Sequence, residues 1–283
     1  MFYSWRSVLR RIRTLEASLS TEPALIVERD GPIVVLTMNR PHALNALDLE
    51  MLARMADAWT LCDEEDEIRV AILTGAAGNF CAGADLKLMH SDQSDDPFQK
   101  RFADDPELHW RAMLRNARPK TPVVAAIEGV AIGGGTEITL GTDIRIAGES
   151  ARFGVSEVRW GLFPLGGSTV RLRRQIPHAK AMDLLLTGRH IKAPEAERIG
   201  LITRVVPDGE ALAEAKRVAR RIAENGPLAV QGVRESAWAS EGMSEADALA
   251  QELAIGWPVH KSEDAKEGPR AFAAKRKPVF EGR

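Results

Sequence analysis

An α/β core followed by a helical C-terminal region is the fold class that the sequence predicts, and three observations predict it. Short apolar runs rich in β-branched residues alternate with segments of helical spacing. Two of those runs end in glycine-punctuated loops. Beyond Gly166 the pattern turns almost wholly helical, which sets helices after a mixed core rather than throughout it.

The elements follow in order. Ala24 to Glu28 and Ile33 to Met38 flank Asp30-Gly31-Pro32 and read as a β-hairpin, broken by Asn39-Arg40-Pro41. Asp48 caps a helix whose Leu49, Leu52, Met55, Ala56 and Trp59 recur at helical spacing. Val70 to Leu73 is a buried strand closed by Thr74-Gly75. The loop Gly75 to Gly83 follows and Ala84-Asp85-Leu86-Lys87 is expected to enter a helix; Ser91 to Asp105, polar and broken by Pro97, reads as a mobile surface insertion. A helix around Glu107 to Asn116, a strand over Val123 to Ile127, a helix opened by Gly133-Gly134-Gly135 and a strand over Ile144 to Ala147 complete the core pattern. Helices are then expected at Gly167–Gln175, Ala179–Leu186, Pro194–Ile199, Gly209–Glu224, Leu228–Ala239, Ser244–Ile255 and Glu263–Lys275, with a strand at Ile202–Val206.

Composition narrows the function. The chain has 283 residues and 45% hydrophobic content, enough for one large core. A formal charge of -2 gives no electrostatic ground for a nucleic-acid partner. Cys62 and Cys81 form no CxxC pair, which points to a reducing, cytoplasmic compartment. No apolar run approaches the roughly 20 residues that cross a bilayer. Residues 1–20 carry Arg6, Arg10, Arg11 and Arg13 against Glu16. That composition is read as a short amphipathic extension, with a transit peptide, which would move the protein to the mitochondrial matrix, as the alternative. The organisation expected is a basic extension at 1–20, a core with the active site at 21–205, and a helical region at 206–283.

The chemistry concentrates in a few places. A glycine run opening a helix removes side chains and presents N–H groups without internal acceptors at the positive end of the helix dipole. A carbonyl oxygen that gains charge would be stabilised there, about 2.7–4 kcal/mol for each donor. Close helix–strand packing would use the same glycines, so this motif alone leaves both uses open. Asn79-Phe80-Cys81-Ala82-Gly83-Ala84-Asp85 offers a second free N–H after another buried strand. Glu137, in the first turn of the glycine-opened helix, and Glu157, in Phe153-Gly154-Val155-Ser156-Glu157, are candidate acids or bases; either alone reads equally as a structural carboxylate. The six histidines show no metal-ligand spacing, and no GxSxG, GxGxxG or Walker pattern is present.

Together these motifs resemble the crotonase superfamily, the enoyl-CoA hydratase/isomerase family. The resemblance rests on Asn39-Arg40-Pro41 with Ala43-Leu44-Asn45-Ala46, Phe80-Cys81-Ala82-Gly83-Ala84-Asp85-Leu86, Pro122 to Gly129 and Gly133-Gly134-Gly135-Thr136-Glu137. Asp143 to Ala147, Phe153-Gly154, Gly161-Leu162-Phe163-Pro164 and Glu267-Gly268 with Ala271-Phe272 extend it from about Ala24 to Arg283. It implies a crotonase-like spiral of ββα units with a helical C-terminal trimerisation region, assembled as a homotrimer or homohexamer. It implies an oxyanion hole of the Ala84 and Gly134 N–H groups, and Ala82, Asp85, Leu86, Lys87, Phe272 and Lys275 around an acyl-CoA thioester. Glutamates at both the 137 and 157 positions imply an enoyl-CoA hydratase, adding water syn across a trans-2-enoyl thioester to give the 3-hydroxyacyl-CoA of lipid metabolism. A Δ3-Δ2 isomerase, a carnitinyl-CoA dehydratase or a non-catalytic acyl-CoA binder are the alternatives. No metal or redox cofactor is implied; CoA enters with the substrate. Ser156 before Glu157, Arg159-Trp160 after it, Thr136, and Leu165-Gly166-Gly167-Ser168 depart from the hydratase pattern and suggest an unusual acyl group or a lid.

Overall fold

The structure is a computed structural model that describes residues 22–88 and 96–283. The basic stretch 1–20 and the middle of the polar segment after residue 88 lie outside the described residues. Strands β1 (Leu25–Asp30) and β2 (Ile33–Met38) form the expected hairpin, with Gly31 at φ 59° in its turn. Helix α1 (Leu49–Glu64) leads to β3 (Val70–Gly75), and the short helices α2 (Gln99–Asp104) and α3 (Leu108–Ala112) lead to β4 (Val123–Ile127). Then come β5 (Val130–Ile132), α4 (Gly134–Thr139), β6 (Ile144–Gly148) and β7 (Arg152–Gly154). Helices α5 (Ser168–Gln175) and α6 (His178–Thr187) precede β8 (Ile191–Lys192), α7 (Ala193–Arg198) and β9 (Arg204–Val206). Four helices close the chain: α8 (Ala211–Ala223), α9 (Pro227–Ala239), α10 (Glu245–His260) and α11 (Glu263–Ala273).

The strands sort into two sheets. One has the order β1-β2-β3-β4-β6-β9 and is parallel from β2 onward; the other is β5-β7-β8. From β4 to β7, strands consecutive in the chain alternate between the sheets. β4 runs into β5 and then α4; β6 runs into β7 and then α5 and α6. This repeat is a spiral of ββα units, as the resemblance implies.

Side-chain alternation explains the layers. Leu36, Leu73, Ala125 and Ile127 face α1, whose Met51, Leu52, Met55 and Trp59 fill the larger core. Val35, Val70, Ile72, Val124 and Ile146 face the other way, onto Ala211, Ala215, Ala219 and Ala223 of α8. Alanine at every fourth position gives α8 a flat stripe that can lie close on the pleated surface. The sheet is covered on both faces, so its strands read as continuous apolar runs. Helix α8, although it follows residue 206, covers one face of the sheet.

Three expectations change in other details. Ala84–Lys87 opens no α-helix through residue 88. The acidic segment read as loop contains α2, anchored by buried Phe98 and by Arg101 on Asp57 at 2.6 and 2.8 Å. The second sheet was unexpected, since strands of two or three residues are too short to show periodicity.

One carboxylate, Asp143, forms a three-donor joint between the core and helix α9. Asp143 accepts hydrogen bonds from Val123 N (2.7 Å), Arg234 Nε (2.8 Å) and Trp238 Nε1 (2.8 Å), so it joins the edge of β4 to α9. Arg118 stacks over the ring of Trp238 at 3.5 Å. No residue of α9 or α10 is itself fully buried within the single chain. Asp143→Ala strands three donors at this joint and should lower unfolding stability by about 3 kcal/mol. Chemical denaturation checks it; a loss under about 1 kcal/mol would mean the helices are held elsewhere.

Candidate active site

The site is built from backbone before any side chain enters it. After β3, the chain passes between two partners. Cys81 N donates to Val130 O (2.8 Å) and Ile132 N to Cys81 O (3.0 Å), which ties the loop to β5. Three residues on, Leu47 N donates to Gly83 O (2.8 Å) and Asp85 N to Leu47 O (3.1 Å). In such a parallel bridge the flanking residues 83 and 85 face Leu47, so the N–H of Ala84 points the opposite way. Among the described residues that N–H has no acceptor. Its freedom thus comes from strand-like pairing rather than from the helix start expected after Asp85.

The second donor is Gly134 N, at the first residue of α4, where no internal acceptor exists. The two loops touch. A Cβ on Gly83 would lie 2.8 Å from Ile132 O and 3.0 Å from Gly134 N, closer than any real side chain sits. Gly133 turns the chain at φ 56°, and a Cβ on Gly135 would overlap the Cys81 carbonyl. The glycines are there because two backbones meet, so the close packing expected of them is present, and the same contact leaves the Ala84 and Gly134 N–H groups without an acceptor among the described residues.

Two carboxylates converge beside these donors. Glu137 is buried, 3% exposed, in the first turn of α4. Its Oε2 accepts from Gly166 N (3.0 Å) and its Oε1 from Ser168 N (3.1 Å) and Ser168 Oγ (2.8 Å). Three donors fix the plane of that carboxyl group. Glu157 opens the 3-10 turn Glu157–Trp160, with Oε1 3.0 Å from where a Gly133 Cβ would stand. Its Oε2 is buried without a hydrogen-bond partner. Burial, with the nearby Glu137 charge adding to it, raises its pKa from the ordinary 4.5 to about 7. One carboxyl is oriented and the other is starved of donors, a pairing suited to moving protons near neutral pH.

The remaining expected residues divide. Asp85 turns its carboxylate onto Arg40 Nη2 (3.0 Å) and Lys87 N (3.2 Å), so its side chain serves the loop. Ala82 is pinned through its N–H to Leu44 O (3.0 Å), while Leu86 is 40% exposed at the loop's rim. Phe272, 87% exposed, and Lys275 stand at and just beyond the end of α11, and among the described residues no hydrogen bond or ion pair joins them to the glutamates. Sequence reasoning assigned no role to Ser168, Gly166 or Met113. The Met113 methyl lies against both Gly134 and Gly166 and lines the site between the donors and Glu137. Leu165-Gly166-Gly167-Ser168 stood out as a departure from pattern, and that was the available signal.

The starved carboxyl has a consequence for stability. Its folded pKa, about 7, lies above the unfolded 4.5, so the unfolded chain loses the proton first as pH rises. Glu157 therefore costs nothing below 4.5, and it destabilises the fold increasingly between 4.5 and about 7. Glu157→Gln removes that cost. The melting temperature of the variant should exceed wild type more at pH 8 than at pH 5; an equal gap at both would contradict the buried, unpartnered carboxyl.

Comparison with known proteins places this geometry. The enoyl-CoA hydratase/isomerase family profile matches residues 28–283. Enoyl-CoA hydratase EchA19 of Mycobacterium tuberculosis is 51% identical over 267 residues, covering 94% of this chain and 100% of that protein. The (E)-benzylidenesuccinyl-CoA hydratase of Thauera aromatica is 36% identical over 258 residues, covering 90% and 98%. A crystal structure of an enoyl-CoA hydratase from Mycobacterium tuberculosis superposes with a TM-score of 0.82 at 38% identity, covering 93% of this chain and 100% of that one. With free N–H groups and paired glutamates on a ββα spiral, the chain belongs to the enoyl-CoA hydratase/isomerase family.

Proposed function

We propose that the protein is an enoyl-CoA hydratase that adds water syn across the double bond of a trans-2-enoyl-CoA. The observation that carries this reading is the pair of inequivalent carboxyls, Glu137 and Glu157, beside two free backbone donors. The hydratase relatives support it.

The chemistry follows from the site. The thioester oxygen sits between the N–H groups of Ala84 and Gly134. As water attacks Cβ, electrons move toward that oxygen, and the two donors stabilise the enolate. Glu137, its plane fixed by Gly166 and Ser168, takes a proton from the attacking water. Glu157 gives its proton to Cα, collapsing the enolate to the 3-hydroxyacyl thioester. Proton transfer from Glu137 to Glu157 through the next water restores the starting state. Glu157 Oε1 lies beside Gly133, and Glu137 belongs to the first turn of the helix that Gly133 opens, which supports both new bonds forming on one face. Hydration changes no oxidation state overall and asks for no redox cofactor; CoA arrives as part of the substrate.

A shorter mechanism with one carboxyl suits isomerisation, but nothing here removes either glutamate. Exposed apolar residues on the C-terminal helices, including Val233, Leu253, Trp257 and Phe272, support assembly with further copies of the chain, as a trimer or hexamer. Among the described residues no helix is long and apolar enough to cross a membrane.

Loss of the conjugated-thioester absorbance of crotonyl-CoA tests the reading. Glu137→Gln and Glu157→Gln should each lower kcat by about 10²–10⁴ while thioester affinity stays within a few-fold. Because Glu157 must be protonated to act as the acid, kcat/KM for hydration should fall as pH rises through about 7. Tight thioester binding without turnover of any enoyl chain length would overturn the hydratase reading.

A further inference from the structure

We infer that Arg40 is a positioning residue for catalysis, setting the direction of the Ala84 N–H through a clamp on both sides of Leu47. This rests on the reading of Ala84 as an oxyanion donor. Arg40 follows β2, and its side chain is only 12% exposed. Its three nitrogens each take a different partner. Nη1 donates to Ala46 O (2.5 Å), Nε pairs with Asp48 Oδ2 (2.8 Å) and Nη2 donates to Asp85 Oδ2 (3.0 Å). Ala46 and Asp48 are the neighbours of Leu47; Asp85 is the neighbour of Ala84. One rigid, planar group therefore fixes the segment that donates the bridge against the segment that receives it.

The surroundings reinforce the clamp. Asp48 also caps α1 by accepting from Met51 N (2.8 Å), so the clamp is referred to the core. Asn45 sits fully buried in the left-handed region at φ 56°. It accepts from Arg40 N (2.9 Å) and donates to Ala76 O (3.0 Å) and Asn79 O (2.7 Å). The strained residue closes the other end of the same loop. A peptide N–H cannot rotate without moving its neighbours, so the direction of the Ala84 donor is decided at Gly83 and Asp85. Lysine carries the same charge but cannot make three divergent in-plane bonds.

The measurement is the red shift of a bound cinnamoyl-CoA bearing an electron-donating para substituent, which reports carbonyl polarisation directly. It is paired with kcat and KM for crotonyl-CoA in wild type, Arg40→Lys and Asp85→Asn. Arg40→Lys should shrink the red shift and lower kcat about 10- to 100-fold with KM changed far less, since a misdirected donor fails chiefly in the transition state. Asp85→Asn, which loosens only the arm beside Ala84, should move both readouts in the same direction and serves if the first variant does not fold. A folded variant with the wild-type red shift and kcat overturns the role of Arg40. A wild-type complex without any red shift overturns the donor reading on which it rests.

Discussion

Backbone meeting backbone is the constraint on which this molecule depends. Gly83 lies against Gly133 and Gly134 at a distance that excludes a single carbon atom, and Gly135 lies as tightly against the Cys81 carbonyl. The contact joins two successive turns of the spiral, the loop after β3 and the start of α4. Each loop arrives there already paired, the first to Leu47 and β5, the second to β7 through Gly133 N on Gly154 O at 2.8 Å. The peptides left over at the contact, those of Ala84 and Gly134, have no acceptor among the described residues. An open pair of donors is thus a by-product of satisfying everything around it. It is held rigidly because the sheets hold it, and preorganised donors of this kind need no rearrangement when charge appears.

The two glutamates apply the opposite logic to side chains. Glu137 receives three donors from the turn that opens α5, so burial of that group is compensated. Glu157 is placed beside the glycine contact with one oxygen unpartnered. A fold optimised for stability would give that oxygen a donor or remove it. The cost it carries, like the left-handed φ of Asn45, sits where chemistry is to be done.

Much of this was legible before the structure. The hairpin, the capped helix after Asp48 and the wholly apolar strands were readable because a sheet covered on both faces leaves continuous β-branched runs, and amphipathic helices leave a 3.6-residue period. The glycine run, Glu137 and Glu157 each allowed a structural reading alone, and it was the resemblance of their combined pattern to one family that singled them out as a candidate site. The second sheet was not readable, since β5 and β7 are three residues each and owe their form to neighbours distant in sequence. The helix expected after Asp85 shows the same limit. A glycine loop followed by Ala-Asp-Leu-Lys has the local look of a helix start, whereas the bridge to Leu47, thirty-seven residues earlier, decides its conformation. Met113 carries no local signal of function, Arg40 showed only as part of a family motif and Ser168 only as a departure from one, because their roles exist only once distant loops are brought together.

The central claim is that one polarised thioester and two proton-carrying glutamates act together on one face of a double bond. Hydration of crotonyl-CoA in D₂O enriched in ¹⁸O, with the product's configuration read by NMR and mass spectrometry, tests it most directly. The account predicts one ¹⁸O at Cβ and one deuteron at Cα, added to the same face, in equal amounts. Addition to opposite faces, or deuteron incorporation without ¹⁸O, would contradict it.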